Sequence, residues 1–456
     1  MLLRVIKGLA EAGKETWRVD PSQVDSLPQS VEDRTVEVFG ERLSPLQVVQ
    51  RVLEDVRREG DDAVRRYAQL LDGAPPDPAW QVEVPAEHVA RARDQVSAEL
   101  VTALEMSAAR VEEFHRATAR RSWVDLSSGL GELVVPLERV GIYAPGGSAT
   151  YPSTVLMTAI PARVAGVKEV VLSSPSGPSG DGDPDPALLV AADIAGVDRV
   201  FRVGGVQAIG AMAFGTASVP KVDKICGPGN VFVTLAKQMV YGSVDIDGLY
   251  GPTETVIVAD ETANPAFCAA DLLAQAEHDP LAAPILVTTS HSLLDEVEAV
   301  LDSQIQGMER ADMARASMEA RGKAVLLDTM DDAIELANAI APEHLCLMVE
   351  EPWHWAGKVT HAGGVFLGEF SPEVMGDYMA GPSHVMPTGG TARFNSALSV
   401  HHFLKTMPVV ALKPADYPEL ARAAAVIARA EGMTGHARAV EIRLGAEQGN
   451  GAKAGD

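Results

Sequence analysis

Polar side chains at helical spacing mark residues 265–278 of this sequence. The sequence predicts a helix there with Asn264 as its N-cap, so Asp271, Gln275 and His278 at positions i, i+4 and i+7 share one face. The side-chain oxygen of Gln275 and the imidazole of His278 are candidate metal ligands. The alternative is a solvated face on which His278 interacts with the negative end of the helix dipole. Spacing alone does not separate the two interpretations.

An acid and an imidazole stand side by side at Glu343 and His344. Such a pair could divide two proton transfers, with one group activating a water molecule and the other taking the proton of an alcohol. The alternative is structural: Glu343 caps an element or lies in solvent, and His344 is a satisfied core residue. Two adjacent residues leave both interpretations open.

Two further segments place acids and imidazoles among turn-forming residues. Residues 371–378 contain Asp377 and are followed by Gly381-Pro382-Ser383-His384. This composition predicts a fixed, irregular loop, with a purely structural turn as the alternative. Residues 431–436 begin with Glu431, end with His436 and follow a predicted helix over 417–429. Without other information, that segment could simply be a helix stop.

Three glycine-rich turns could bring backbone amides close to a phosphate-bearing cofactor. They are Pro145-Gly146-Gly147, Gly204-Gly205 and Gly227-Pro228-Gly229-Asn230. None fits the G-x-G-x-x-G pattern, and a lone glycine turn is more often only a turn. Their spacing therefore does not establish NAD binding.

The elements that must position these groups change in character along the chain. The first third is predicted to be helical: Ser44 and Pro45 form an N-cap and first turn, Gly60 ends the helix, and further helices cover 61–71 and 86–120. From Arg139 onward short β runs alternate with glycine turns and helices, which is typical of parallel sheets wound with helices. A second round begins at Thr255, so we expect two α/β units.

Composition narrows the class of protein. A length of 456 residues indicates at least two domains, and a net charge of -25 opposes binding to nucleic acid or anionic lipid. The three cysteines have no paired spacing, so any metal is expected to have nitrogen and oxygen ligands. Charges interrupt the N-terminal apolar residues and no apolar run is long enough to cross a bilayer, so we expect a cytoplasmic protein.

The motifs occur together in the order of the histidinol dehydrogenase family, which the chain resembles from about residue 139 to residue 436. The matching runs are Val140-Gly141-Ile142-Tyr143 with Pro145-Gly146-Gly147, Val203-Gly204-Gly205-Val206-Gln207-Ala208-Ile209, Val222-Asp223-Lys224-Ile225 with Gly227-Pro228-Gly229-Asn230, Asp271-Leu272-Leu273-Ala274-Gln275-Ala276-Glu277-His278, Ala341-Pro342-Glu343-His344 and Gly376-Asp377-Tyr378. Because several independent motifs occur in the same order, the probability of a chance agreement is very small.

The resemblance implies a complete set of site residues. They are Gln275, His278, Asp377 and His436 for zinc; Tyr143, Gln207 and Asn230 for NAD; Glu343 and His344 for acid–base catalysis; and, for the substrate, Thr253, His384 and Glu431 together with His344 and the four zinc ligands. Zinc accepts such oxygen and nitrogen donors in open sites. The resemblance also implies an obligate homodimer, in which His436 comes from the partner subunit.

The implied reaction is the four-electron oxidation of L-histidinol, through bound L-histidinaldehyde, to L-histidine with two NAD, the last step of histidine biosynthesis. Zinc would hold the imidazole and amino nitrogens and fix the carbinol carbon beside the nicotinamide. His344 would remove the hydroxyl proton, and Glu343 would activate the water that attacks the aldehyde. A bound aldehyde is protected from side reactions.

We expect an α/β fold with two Rossmann-like parallel-sheet domains, a helical N-terminal region and a small helical C-terminal dimerisation segment. The expected boundaries are 1–34 for an N-terminal arm; 35–140 plus 255–398 for a first α/β domain with the metal and acid–base residues; 141–254 for the NAD-binding domain; and 399–456 for the C-terminal segment, disordered from about residue 445.

Two departures from the family pattern lie near the expected substrate pocket. Leu249-Tyr250 stands where the family usually has Pro-Ala, and Ser383 stands where Asn is common. One alternative is therefore a relative that uses the same zinc and NAD machinery to oxidise another small alcohol, such as a sulfonated diol. The other alternative is a catalytically silent α/β protein. Every expected metal and acid–base position is filled, which disfavours the silent protein.

Overall fold

The computed structural model describes residues 2–17, 29–77, 79–146, 150–177 and 182–450. The chain forms two compact units. The first unit comprises Met1–Ala119 and Pro136–Phe403, and the second comprises Arg120–Val135 and Leu404–Asp456. None of the helices within the described ranges is long and apolar enough to span a membrane.

Strands and helices alternate along most of the chain. The strands are β1 (Arg4–Lys7), β2 (Trp123–Asp125), β3 (Leu130–Pro136), β4 (Arg139–Tyr143), β5 (Glu169–Ser173), β6 (Arg199–Phe201), β7 (Lys224–Cys226), β8 (Asp245–Ile246), β9 (Glu254–Ala259), β10 (Ala283–Thr288), β11 (Lys323–Leu326), β12 (His344–Met348), β13 (Gly364–Leu367) and β14 (Leu404–Val410). The helices are α1 (Leu9–Ala12), α2 (Gln29–Phe39), α3 (Pro45–Glu59), α4 (Asp61–Leu71), α5 (Ala86–Ala92), α6 (Ala98–Ala117), α7 (Pro152–Ala165), α8 (Pro186–Ile194), α9 (Gly205–Phe214), α10 (Val231–Val240), α11 (Pro265–Ala276), α12 (His291–Ile305), α13 (Ala311–Arg321), α14 (Met330–Ile340), α15 (Pro352–Ala356), α16 (Glu373–Tyr378), α17 (Tyr417–Ala430) and α18 (Thr434–Asn450).

One parallel sheet has the strand order β6-β5-β4-β7-β8. Numbered along the chain, this order is 3-2-1-4-5, which is the order of a doubly wound nucleotide-binding sheet. Helices α7 and α8 contribute to the apolar core on one face, and α9 and α10 to the core on the other. The strand order changes direction between the neighbouring strands β4 and β7, because β5 and β6 are added on one side of β4, and β7 and β8 on the other. Ligands of such sheets bind beyond the carboxyl ends of the strands at this direction change.

The second parallel sheet has the order β1-β11-β10-β9-β12-β13. From β9 onward the order is again 3-2-1-4-5, with the direction changing between β9 and β12. Helices α11, α12 and α13 contribute to one core and α14 to the other. The fold is therefore α/β with two Rossmann-like parallel sheets, as the sequence predicts.

The N-terminal residues differ from the predicted arm, because they add strand β1 to the edge of the second sheet. Arg4–Lys7 pairs with residues 323–326 of β11 in parallel register. The flanking Leu2 and Leu3 are buried in one of the cores of this sheet. A four-residue strand is too short to show an alternating pattern, which is why the sequence did not reveal it.

Helices α3 and α4 pack against α9, one of the helices that cover the five-stranded sheet, although the predicted boundaries group residues 35–140 with 255–398. Ser44 caps α3 in a capping box with Gln47. Buried Val52 and Val56 of α3 share one apolar core with Ile209 of α9. Gly210 allows this approach, because a Cβ there would lie 3.1 Å from the side chain of Leu53.

The predicted helix over 86–120 is interrupted. A 3-10 turn over Arg93–Gln95 follows α5, and α6 begins only after Ser97, whose side chain accepts a hydrogen bond from the backbone nitrogen of Leu100 at 3.1 Å. Ser97 is a local N-cap signal that the apolar periodicity of the stretch concealed.

The second unit contains a three-stranded sheet, in the order β14-β3-β2, and the helices α17 and α18. The predicted C-terminal segment is therefore not purely helical, since it contributes β14. The prediction of disorder from residue 445 is wrong for residues 445–450, which continue α18. Residues 451–456 lie outside the described residues.

Candidate functional site

The candidate site lies where the six-stranded sheet changes direction, at the amino ends of β9 and β12. Thr255 of β9 and His344 of β12 are paired in register. Helix α11 follows β9 and returns along the sheet, so Gln275 in its last turn reaches the same edge, where its side chain bonds Thr255. Ligands of open α/β sheets usually lie at the carboxyl edge, so topology alone would not predict this location.

Glu343 is a buried carboxyl, 8% exposed. Its Oε2 accepts hydrogen bonds from the Thr253 hydroxyl at 2.6 Å and from the backbone nitrogen of Glu254 at 3.3 Å. Burial raises the pKa of Glu343 to about 8, although the hydrogen bond from Thr253 acts to lower it. A carboxyl that titrates near neutrality can both take and release a proton.

His344 is a buried imidazole, 5% exposed, without hydrogen-bond partners for either ring nitrogen among the described residues. Its Nδ1 lies 3.9 Å from Glu343 Oε2 and 3.8 Å from Glu373 Oε2, and its Nε2 lies 4.0 Å from Asp377 Oδ1. Burial, helped by His278 and His384, lowers the pKa of His344 to about 3. His344 is thus a neutral imidazole able to accept a proton, not the satisfied core residue of the structural alternative.

A chain of hydrogen bonds joins Gln275 to two carboxyl groups. Gln275 Nε2 donates to Thr253 Oγ1 at 2.5 Å, and the Thr255 hydroxyl donates to Gln275 Oε1 at 2.7 Å. Thr255 Oγ1 also contacts Glu373 Oε2. A hydroxyl has one hydrogen to donate, so with the Gln275 amide in this orientation a protonated Glu373 supplies the hydrogen of the second contact. Burial raises the pKa of Glu373 well above its usual value, in agreement with a neutral acid.

Of the predicted metal ligands of the first unit, Gln275 lies in α11, Asp377 in α16, and His278 in neither. Helix α11 ends at Ala276, so His278 lies just beyond it and is exposed, contrary to the predicted helix over 265–278. Asp271 and Gln275 are 7% and 1% exposed, which excludes a solvated face for these two residues.

The predicted irregular loop over 371–378 contains the short helix α16, which carries Asp377. The backbone oxygen of Asp377 accepts a hydrogen bond from Nδ1 of His384 at 3.0 Å. His384 Nε2 lies 3.2 Å from the Thr154 hydroxyl. Burial raises the pKa of Asp377 to about 7 and lowers that of His384 to about 4.

Carboxyl groups outnumber cations in this region. Burial raises the pKa of Glu254 to about 7, and the pKa values of Glu343, Glu373 and Asp377 are raised as well. Across the described ranges, His344 is the only basic side chain within ion-pair distance of Glu343, Glu373 and Asp377. Burying carboxylates without a cation is unfavourable, so a divalent cation would stabilise the ionised cluster.

The donor set fits such a cation. Gln275, His278 and Asp377 offer an amide oxygen, an imidazole nitrogen and a carboxylate oxygen, which are donors that zinc accepts. Within the described ranges, no three His, Cys, Asp or Glu side chains form a group able to hold a metal ion. Three of the four predicted ligands, one of them an amide, lie in the first unit, and the fourth, His436, lies in the second.

The predicted cofactor residues lie near the carboxyl edge of the five-stranded sheet. Tyr143 ends β4, and its hydroxyl accepts a hydrogen bond from the backbone nitrogen of Gly205 at 3.1 Å. Gln207 in the first turn of α9 donates to Asp72 Oδ2 at 3.0 Å. Tyr143 and Gln207 are buried, whereas Asn230, the N-cap of α10, is exposed. Gly147 of the first predicted glycine turn lies outside the described residues.

Two predicted site residues lie in the second unit. Glu431 is the C-cap of α17, and His436 is in the first turn of α18. Gly432 between them has φ 75°, a left-handed conformation that ends a helix readily. The helix stop is confirmed, and the ligand roles of Glu431 and His436 stay predictions.

Three neighbours of the site escaped the sequence analysis. Thr255 and Glu373 complete the chain of hydrogen bonds at Gln275. Asp72, the C-cap of α4, accepts hydrogen bonds from both the Gln207 side chain and the backbone nitrogen of Gly204. Asp72 is far from Gln207 in the sequence, so no local pattern could pair them. Glu373 stood within the run 371–378, four residues before Asp377, and its position on one turn of helix with Asp377 was the available signal.

Comparison with known proteins places this geometry in a family. A model of the family described as histidinol dehydrogenase matches residues 41–444. The chain belongs to the histidinol dehydrogenase family. A histidinol dehydrogenase of Deinococcus radiodurans is 51% identical over 422 residues, covering 92% of this chain and 95% of that relative. One of Thermus thermophilus is 51% identical over 399 residues, covering 87% of this chain and 94% of the relative.

A solved structure agrees with the sequence relatives. The crystal structure of histidinol dehydrogenase from Elizabethkingia anophelis has a TM-score of 0.86 and 34% sequence identity, and the match covers 98% of this chain and 99% of that one. The resemblance to the histidinol dehydrogenase family stated from the sequence is therefore confirmed. A relative with another small alcohol as substrate is not favoured.

The two departures from the histidinol dehydrogenase pattern have structural contacts. The ring of Tyr250 lies 4.7 Å from the ammonium nitrogen of Lys237, and its backbone oxygen accepts a hydrogen bond from Thr234 at 3.0 Å. Ser383 is 1% exposed, and its hydroxyl accepts a hydrogen bond from the backbone nitrogen of Val385 at 3.2 Å. Both side chains thus have partners within the protein.

Proposed function

We propose that the protein oxidises L-histidinol, through enzyme-bound L-histidinaldehyde, to L-histidine while two NAD are reduced. The observation that carries the proposal is the buried pair Glu343 and His344 beside the unneutralised carboxyl cluster. A neutral imidazole and a carboxyl that titrates near neutrality are the two proton acceptors that an alcohol oxidation followed by an aldehyde hydration requires. Membership of the histidinol dehydrogenase family supports the identity of the substrate.

We propose that Gln275, His278 and Asp377, with His436 of the partner subunit, hold one zinc ion. When bound, zinc acts as a Lewis acid and holds the nitrogen donors of the substrate. The incomplete donor set of the first unit supports a site shared between two subunits of a homodimer. The remaining substrate contacts would come from Thr253, His384 and Glu431.

The first chemical role belongs to His344. Neither ring nitrogen has a hydrogen-bond partner among the described residues, and the unprotonated one accepts the hydroxyl proton of histidinol while a hydride leaves the carbinol carbon for NAD. The low pKa of His344 keeps the imidazole in its basic form at neutral pH. Its burial excludes water that would compete for the proton.

The second role belongs to Glu343. In its ionised form, Glu343 removes a proton from the water that attacks the aldehyde, and the resulting hydrate is the substrate of the second oxidation. The Thr253 hydroxyl, bonded to Glu343 Oε2 and to Gln275, fixes the direction of that carboxylate. As the hydrate forms, protonated His344 returns its proton to the aldehyde oxygen. His344, neutral again, then accepts the hydroxyl proton of the hydrate.

We place NAD at the direction change of the five-stranded sheet, with Tyr143, Gln207 and Asn230 as its neighbours. Buried Tyr143 and Gln207 shape the turn at Gly204 and Gly205, while exposed Asn230 is accessible to the cofactor. The order 3-2-1-4-5 and the glycine turns after the strands support this placement.

The decisive assay counts NADH per product. Purified protein with histidinol and NAD should form two NADH for each histidine, lose activity on chelation and regain it with zinc. Glu343→Gln should slow histidine formation from histidinaldehyde by about 10²-fold or more, whereas Glu261→Gln, at an exposed acid, should not. No NADH formation with histidinol, or an undiminished rate for Glu343→Gln, would overturn the assignment.

A further inference from the structure

One buried ion pair fixes both polar backbone groups of Gly227, the first residue of the turn 227–230. Asp247 Oδ2 accepts a hydrogen bond from the backbone nitrogen of Gly227 at 2.7 Å, and Lys237 Nζ donates to its backbone oxygen at 2.9 Å. Lys237 Nζ and Asp247 Oδ1 are 2.5 Å apart. The start of this turn is therefore held by two side chains, from α10 and from the residue after β8.

The pair is sealed from solvent. The side chains of Lys237 and Asp247 are 2% and 0% exposed. The ring of Tyr250 lies 4.7 Å from the ammonium nitrogen, and the Asp247 carboxylate also accepts the backbone nitrogen of Gly248 at 2.9 Å. Removing two charges from water is costly, and apolar replacements of such pairs are often as stable. The geometry that the pair fixes is thus a better explanation of its presence than stability.

The turn itself needs close support. Gly227 has φ 116°, and a Cβ at this position would lie 2.0 Å from the backbone oxygen of Tyr143. Three residues later Asn230 caps α10, its side chain accepting from the backbone nitrogens of Phe232 and Val233. The turn therefore presses against the end of β4 and leads directly into a helix N-terminus at the direction change of the sheet.

We propose that Lys237 and Asp247 are a positioning pair that preorganises the 227–230 turn for the pyrophosphate of NAD, an inference that rests on the proposed function. Both side chains are buried below the turn, so they act through Gly227 and not by contact with the cofactor. A turn that is already fixed loses little conformational freedom when the ligand binds. The pair therefore strengthens NAD binding and leaves the proton transfers at His344 unchanged.

The test replaces the pair by neutral side chains of similar size, Lys237→Met with Asp247→Asn. The Kd of NADH, from fluorescence titration without histidinol, should rise about tenfold or more, while kcat at saturating NAD changes less than about twofold. The matched control is Lys224→Met with Asp245→Asn, which removes an ion pair of 2.8 Å between β7 and β8 away from the turn. The control should leave the Kd unchanged.

A second measurement needs no variant. Hydrogen exchange of wild-type protein without NAD should show slow exchange at the amides of Gly227 and Gly248, because Asp247 already binds both. Fast exchange that slows only when NADH is added would overturn preorganisation, as would an unchanged Kd for a folded double variant. A wild-type protein that binds no NADH would instead refute the proposed function.

Discussion

Replacing Glu373 tests whether the site contains a neutral carboxylic acid. Thr255 can donate only one hydrogen, and it contacts both Gln275 Oε1 and Glu373 Oε2, so with this orientation of the Gln275 amide we expect Glu373 to supply the second hydrogen. Glu373→Met keeps the length of the side chain and removes that donor. The loss of one partner from a buried hydrogen-bond chain costs about 1–3 kcal/mol, which corresponds to a roughly 5- to 150-fold fall in kcat/KM if the chain positions the reacting groups.

Glu373→Gln is the matched comparison, because its amide nitrogen is also a neutral donor to Thr255. We expect kcat/KM within about threefold of wild type and unchanged zinc per chain for Glu373→Gln, and losses in both for Glu373→Met. Infrared difference spectra of wild type against Glu373→Gln should contain the carbonyl band of a protonated carboxylic acid. An equal loss of kcat/KM and zinc in both variants, or the absence of that band, would show that Glu373 is ionised and does not donate a hydrogen to Thr255.

The remaining predictions concern the shared site and acid sensitivity. Refolding equal amounts of two inactive variants together, His436→Ala and Glu343→Gln, should restore about a quarter of wild-type activity. Random pairing makes half of the dimers mixed, and each mixed dimer has one intact site. No activity in the isolated mixed dimer would place all ligands in one chain. His115 is fully buried, and this burial, together with the nearby His401, lowers its pKa from 6.5 to about 4. Neutral His115 therefore contributes stability above pH 6.5 that is lost as the pH falls through 4. This lowering of the pKa corresponds to about 3 kcal/mol. In urea titrations, the free energy of unfolding of His115→Leu should rise by that much relative to wild type between pH 7 and pH 4. A difference between the two proteins that stays constant with pH would contradict this prediction.

Local signals predicted much of the fold. The capping residues Ser44 and Asn264 are each followed by Pro, and both begin helices where the sequence places them. The alternation of strands and helices after Arg139 predicted two parallel sheets. These features depend on neighbouring residues, so a single sequence contains them.

The assembly of the site depends on contacts that no local pattern contains. The pairing of Thr255 with His344 and the bond from Thr255 to Glu373 join residues about 90 or more positions apart. The same holds for Asp72 and Gln207, and for β1, whose partner strand is about 320 residues away. The motif residues were found as members of a family pattern, whereas their hydrogen-bond partners required the tertiary structure.

The central claim is that one metal ion lies beside the Glu343–His344 pair. Anomalous diffraction at the zinc edge from crystals of the zinc-loaded dimer tests it directly. We predict a single peak per subunit, in contact with Gln275, His278, Asp377 and His436 of the partner subunit. A peak elsewhere, or one that lacks Asp377 and His436, would contradict the account.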